Sequence, residues 1–361
     1  MDTTPPDIAK SRGQKFVAWL KKHWIALAII VSALIATAVF LYLIQQKYST
    51  QQTVDVATSA QPKKPERYFS LLTGKELGDA ESKKLPVTAV MIENSPEARP
   101  QSGLKKAGVV YEAVAEGGIT RFLALYQHNK PELIGPVRSL RMYYLEWASA
   151  YQASVAHVGG SYNALESVRS DSQRDLDQFF NPDTYWRSSD RYAPHNVYTS
   201  GAKLDELNQA KGYNESVFTS FKRADGKPSE EPNASTIYVN FSSALFNTGY
   251  AYHKESNTYL RSLGGEAHND REEGQLAPDV LVVMKVETQS RGGTDGYQDL
   301  VTTGSGQAYV FQNGTVSEVT WRKDSANEPL QLLDGEGTPV TLNRGQTWIA
   351  AITSAGSVSW Q

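Results

Sequence analysis

The stretch Val109-Val110-Tyr111-Glu112-Ala113-Val114-Ala115-Glu116-Gly117-Gly118-Ile119-Thr120-Arg121-Phe122-Leu123-Ala124-Leu125-Tyr126 decides the first reading of the fold. Two apolar runs rich in β-branched and aromatic residues flank a glycine pair. Such a pair tolerates the positive φ of a tight connection, so the spacing predicts an antiparallel hairpin. With a two-residue loop, Glu116 pairs with Ile119 and Val114 with Arg121, which puts Glu112, Glu116 and Arg121 on one face. That face reads either as a cross-strand ion pair that fixes register or as the charged floor of a binding cleft. A glycosidase pair is excluded: four residues along a strand span about 13 Å at roughly 3.3 Å each, beyond the roughly 5 to 9.5 Å that glycoside hydrolysis uses.

Around the hairpin, strand-like runs at 87–92 and 154–158 alternate with helix-like segments at 139–151 and 201–210, a mixed α/β pattern. The polar stretch 222–233, with Asp225-Gly226 and two prolines, marks an expected boundary. Beyond it, short runs at 236–241, 280–286, 308–312, 315–321 and 347–352 follow one another with turn signals at Asn313-Gly314 and Asp334-Gly335. The expected division is an α/β domain over 67–225 and a mostly antiparallel β domain over 232–361. Trp321, Trp348 and Tyr309 fit as core aromatics of these strands rather than as a carbohydrate platform.

Upstream, residues 24–44 open on Trp24, close on Ile44 and contain no charge, with Ser32 and Thr37 as polar interruptions. At about 1.5 Å per residue this run spans the roughly 30 Å hydrocarbon core as a single helix. Lys10, Arg12, Lys15, Lys21 and Lys22 precede it and only Lys47 follows closely, which predicts a cytoplasmic basic tail at 1–23 and an extracytoplasmic body. The rival is a cleaved signal peptide with a site near Ala57-Thr58-Ser59-Ala60, but signal h-regions are about 7 to 15 residues long. Residues 45–66, rich in Gln, Ser, Thr, Ala and Lys, read as a flexible stalk.

Composition removes several function classes. The 36 basic and 39 acidic side chains leave a net charge of -3, so no overall basic field favours nucleic acid. Zero cysteines exclude disulfides, thiolate metal sites, a cysteine nucleophile and a lipidated cysteine. No His-Glu-x-x-His helix, phosphate loop, Gly-x-Ser-x-Gly elbow or EF-hand loop occurs. No cofactor is implied, and no pair of histidines has metal-ligand spacing.

Candidate site residues remain. Gly135-Pro136-Val137-Arg138-Ser139-Leu140-Arg141 leads into an amphipathic helix. Arginine at a helix start opposes the dipole, so Arg138 and Arg141 need a negative partner: Glu112, Glu116, or a bound anion held by free backbone N–H groups. His157 with Ser161, and Arg191 with His195 and Asn196, lie on loops fed by strands, where sites concentrate. Each histidine reads either as a hydrogen-bonded structural residue or as a participant in chemistry.

These motifs resemble the YerB-like family, labelled domain of unknown function 3048, with N- and C-terminal parts. The resemblance rests on Val90-Met91-Ile92-Glu93-Asn94, Arg99-Pro100-Gln101-Ser102-Gly103-Leu104, the hairpin, Gly135 to Arg141, His157-Val158-Gly159-Gly160-Ser161, Ala193-Pro194-His195-Asn196, and Asn343-Arg344-Gly345-Gln346-Thr347-Trp348-Ile349. It implies a membrane-attached, extracytoplasmic bacterial envelope protein and no established activity. Family members often look like lipoproteins anchored through a cysteine, whereas here an apolar helix stands in for that anchor. Three functions follow: a non-catalytic module binding an anionic cell-wall component or an envelope protein; an enzyme acting on a phosphorylated cell-wall or glycopolymer intermediate, with arginines clamping phosphate and His195 or Glu112 as base; or a scaffold for a membrane complex. The first two require Arg121, Arg138, Arg141, Arg191, His157 and His195 to converge in one cleft.

Overall fold

The structure is a computed structural model that describes residues 9–49, 66–170, 173–289 and 299–361. The chain divides into two units, Met1–Pro65 and Glu66–Gln361. In the first, helix α1 covers Ala9–Ser49. Its Gly13–Ser49 portion is long and apolar enough to cross a membrane, with a mean hydropathy of 2.7 in its most apolar window. Ile29, Ile30, Leu34 and Ile35 on this helix are all exposed. The Thr37 hydroxyl donates to Ala33 O at 2.8 Å, which satisfies one polar group inside the run. The helix passes Ile44 and ends at Ser49, so residues 45–49, expected in the stalk, are helical. Residues 50–65 of that stalk, the Ala57-Thr58-Ser59-Ala60 site and the first eight residues of the basic tail lie outside the described residues.

The second unit is built on a ten-stranded mixed sheet. In chain order its strands are β1 (Thr88–Glu93), β2 (Val109–Val114), β3 (Thr120–Tyr126), β4 (Ser154–His157) and β5 (Arg174–Asp177) from the first part. A five-stranded antiparallel sheet follows, with β6 (Thr236–Asn240), β7 (Thr248–His253), β8 (Thr258–Leu263) and β9 (Glu266–Ala267). The chain then returns to the large sheet as β10 (Val280–Lys285), β11 (Gly304–Gln312), β12 (Thr315–Lys323), β13 (Gln331–Leu333) and β14 (Thr347–Ile352), and β15 (Ser357–Trp360) closes the small one. The large sheet has the order β13-β12-β11-β10-β14-β2-β3-β1-β4-β5, and the small one β9-β8-β7-β6-β15.

The C-terminal region is mostly β, as its turn-punctuated pattern predicts. Its strands are not all antiparallel, because β14 runs parallel to both β10 and β2. That placement carries one sheet through both sequence segments. The stretch 222–233 connects them, and Arg223-Ala224 within it pairs with Leu342-Asn343.

Strands β1, β3 and β14 are buried along their whole length, as expected for strands covered on both faces. One face packs under α2 (Met142–Ser149) and α3 (Tyr162–Val168), where the Tyr111 and Trp147 rings stack at 5.0 Å. The other face meets the small sheet through Ile237, Val239, Tyr250 and Tyr259. A further helix, α4 (Gly201–Ala210), begins at Ser200, whose hydroxyl accepts from the Lys203 N–H.

The hairpin forms, with Gly117 and Gly118 both at positive φ, but its register differs from the expectation. Val114 pairs with Thr120, Ala113 with Arg121 and Glu112 with Phe122. The turn closes through Ala115 N–H to Ile119 O at 2.7 Å and Ile119 N–H to Glu116 O at 2.9 Å. A one-residue slip moves a side chain to the opposite face, so Glu112 and Arg121 lie on different sides of the sheet. The α2 helix fixes this register: the Tyr144 hydroxyl sits between Ala113 O at 3.0 Å and Arg121 O at 2.6 Å.

Candidate functional site: the arginine cluster around Glu93 and Glu116

Glu93 ends β1 and is the cross-strand partner of Arg121, so both project on the α2 side. Residues 136–138 run beside this strand end, with Glu93 N–H donating to Pro136 O and Arg138 N–H to Met91 O, each at 2.9 Å. This backbone pairing delivers Arg138 to Glu93, whose Oε1 lies 3.3 Å from the Arg138 Nε. The same oxygen accepts from Ser95 Oγ at 3.1 Å and lies 3.0 Å from His195 Nδ1. Glu93 itself is nearly inaccessible, whereas the Arg138 and His195 side chains remain 26% and 23% exposed.

Glu116, in the hairpin turn, forms the second half of the cluster. Its Oε2 pairs with Arg121 at 3.1 Å and its Oε1 contacts the Arg141 guanidinium directly. Arg121 also donates to Ser139 O at 2.9 Å, at the entrance to α2. The negative partners required by arginines at a helix start are therefore Glu93 and Glu116. The ion pairs here set three guanidiniums, those of Arg121, Arg138 and Arg141, against the carboxylates of Glu93 and Glu116. Glu93 Oε2, Arg121 Nε and Arg138 Nε are all buried without a hydrogen bond. Such atoms cost about 1–3 kcal/mol each when left unmatched.

Glu112 is not part of this cluster. On the opposite face, its Oε2 accepts from Arg261 at 2.7 Å and from the Trp348 indole N–H at 2.9 Å, and its Oε1 accepts from Thr120 Oγ1 at 3.0 Å. Glu112 and Arg261 are fully buried. With both oxygens engaged and no access to solvent, Glu112 has no route to act as a base. The slip in hairpin register is the physical reason.

His157 stands one strand further along. It is inaccessible, with Nδ1 2.8 Å from Gly159 O and Nε2 3.0 Å from Asp175 Oδ1. Burial raises the Asp175 pKa, but the hydrogen bond and charge of His157 outweigh it and hold the carboxyl below its ordinary range. The Ser161 residue precedes α3, and its backbone N–H donates to Leu140 O at 3.1 Å.

Arg191 works as a staple. Its guanidinium donates to the carbonyls of Glu97 (2.7 Å), Arg99 (3.3 Å) and Pro100 (2.7 Å). Asn196 closes the same loop internally, donating to Ser188 O and Arg191 O and accepting from Arg187 at 2.7 Å. The structure thus brings Arg121, Arg138, Arg141, Glu116 and His195 to one end of the sheet. It leaves His157 in its own hydrogen-bonded pair and commits Arg191 to backbone. Sequence reasoning missed Glu93 because it terminates the apolar run 87–92, although the alternation of that strand places it on the same face as Met91. Two cavities, of about 280 and 490 Å³, open elsewhere and share Gln127 and His128 in their walls. Among the described residues no group of three or more His, Asp or Glu could hold a metal ion.

Residues 72–214 match the N-terminal domain, and residues 237–349 the C-terminal domain, of a protein of unknown function (DUF3048). The chain is 33% identical over 294 residues to the Bacillus subtilis (strain 168) protein described as "Putative lipoprotein YerB", covering 80% of this chain and 87% of that one. It also superposes on the crystal structure of YerB protein from Bacillus subtilis with a TM-score of 0.72 at 29% sequence identity, over 81% of this chain and 99% of that one. The mixed α/β body, the mostly β C-terminal region and both matched segments show that the chain belongs to the YerB-like DUF3048 family.

Proposed function

We propose that this chain is a membrane-anchored, extracytoplasmic envelope protein that binds a phosphate-bearing envelope ligand at the Arg121–Arg138–Arg141 cluster. The observation that carries the reading is the pair of carboxylates, Glu93 and Glu116, holding three guanidiniums at one end of the sheet with Arg138 accessible. The carboxylates pre-order the arginines, and the partly exposed Arg138 guanidinium favours an anionic over a cationic ligand. Anchoring is supported by the apolar α1 helix and by the lipoprotein description of the Bacillus relative. The excess of basic residues before the apolar run supports an extracytoplasmic body.

Calorimetric titration of the full chain in detergent micelles with inorganic phosphate, and then with a polyprenyl phosphate, tests this reading. Saturable binding is expected, weakened by about tenfold or more in Arg138→Gln, since a charge-assisted hydrogen bond contributes about 1.5–3 kcal/mol. Equal affinity in the variant, or no binding by the folded chain, refutes it.

A further inference from the structure

His195 is held at one ring nitrogen and open at the other. Glu93 Oε1, 3.0 Å from Nδ1, also accepts from the Ser95 hydroxyl and faces the Arg138 guanidinium. A carboxylate in that setting is an acceptor only, so Nδ1 carries the ring proton and Nε2 the lone pair. No hydrogen bond within the described residues engages Nε2. Ser95 Oγ lies 3.2 Å from Nδ1, the protonated nitrogen, and Ser95 is buried, so it is not placed as a nucleophile activated by His195. The other histidines of the folded body lack this combination: His157 and His268 are buried with both ring nitrogens engaged, His128 bonds to Ser82 O through Nε2, and His253, at the exposed end of β7, contacts Ser256 Oγ through Nδ1. The loop that carries His195 is fixed by the Arg191 staple onto residues 97–100, a few residues beyond Glu93 and Ser95.

From this geometry we infer that His195 is the general base of a phosphate-ester hydrolysis carried out beside Arg138. The inference rests on the anion-binding reading above. Nε2 takes a proton from water, the water oxygen bonds to phosphorus, the ester P–O bond breaks, and the imidazolium returns the proton to the departing alcohol oxygen. Water is the only co-reactant. Arg138, the partly exposed arginine of the cluster, neutralises the charge on the phosphoryl oxygens, and Glu93 is a positioning residue that holds the tautomer and ring orientation.

The test uses the full chain in detergent micelles with bis(4-nitrophenyl) phosphate and 4-nitrophenyl phosphate. Their leaving group departs without protonation, so the assay isolates the base. At least one probe is hydrolysed, and His195→Gln and His195→Asn each lower kcat by about 100-fold or more, within the 10²–10⁴ range of general base catalysis, while still binding inorganic phosphate by calorimetry. Glu93→Gln lowers kcat, and Glu93→Asp, which restores a carboxylate acceptor for Nδ1, recovers part of it, a rescue that a purely structural role does not produce. A chain that binds phosphate but hydrolyses neither probe, or His195 variants that keep wild-type kcat, overturns the inference and leaves the binding reading standing. A folded chain that does not bind phosphate overturns both.

Discussion

Replacing Glu112 with Gln isolates the value of one buried charge. The side chain keeps its shape, its remaining carbonyl oxygen can still accept from Arg261 and Trp348, and the amide can face Thr120 Oγ1. What disappears is the negative charge opposite a fully buried guanidinium enclosed by Trp348 at 4.4 Å and by Phe122 and Tyr250 at 5.7 Å. Those rings cannot replace a carboxylate, since a cation over an aromatic face gains about 2 kcal/mol when desolvated. Breaking a buried pair by removing one partner costs about 3–5 kcal/mol, a large share of the roughly 5–15 kcal/mol that holds a typical domain together. Urea unfolding of the full chain in detergent, followed by tryptophan fluorescence, reads the loss directly. The double variant Glu112→Leu, Arg261→Met removes both charges and is expected to recover most of it, because well-packed apolar groups replace buried ion pairs at little cost. A loss below about 1 kcal/mol in Glu112→Gln, or a double variant as unstable as the two single losses combined, refutes the reasoning.

Three further predictions follow from the same packing. Burial, reinforced by the neighbouring Arg261 and Arg99 charges, pushes the His268 pKa well below its usual 6.5. The unfolded chain therefore binds a proton that the folded chain refuses, so stability is complete above about pH 6.5 and falls by up to about 1.4 kcal/mol per unit below it; His268→Gln flattens that slope in denaturation curves recorded from pH 7 to 5. A fragment ending at residue 230 loses β14 from beside β2 and the Arg261 and Trp348 partners of Glu112. It is expected to be unfolded or aggregated by circular dichroism and gel filtration, and a monomeric, cooperatively folding fragment contradicts the shared sheet. Arg191→Ala removes three donors to backbone carbonyls, and amide exchange in residues 188–196 and 97–101 is expected to rise by about tenfold while that of β1 and β3 stays unchanged.

Much of the architecture is legible in local sequence. The glycine pair at 117–118 marks the hairpin, the apolar period after Ser139 marks α2, and uninterrupted apolar character marks α1. The hairpin register was not legible, for a physical reason. Strands β2 and β3 are buried on both faces, so their side chains do not alternate between apolar and polar, and no pattern distinguishes a two-residue turn from a five-residue one. Nor could local pattern reveal that β14 inserts between β10 and β2, more than two hundred residues from its neighbour β2. The same long-range pairing hides Arg261 and His268 as partners of Glu112 and Gln101. Within the site, the need of Arg138 and Arg141 for negative partners is visible from the helix dipole, and Glu116 is one of them. Glu93 completes the pair only once residues 136–138 are seen to run along β1. Arg191 looks like a ligand clamp in sequence and is spent on three carbonyls in the fold.

A crystal of the full chain grown in detergent with tungstate tests the arginine cluster most directly, because this tetrahedral dianion is located by its anomalous scattering. The arrangement around Glu93 and Glu116 predicts one ordered tungstate within hydrogen-bonding distance of Arg138. Tungstate ordered only at other surfaces, or an empty cluster at saturating concentration, contradicts the assignment of an anion site to these arginines.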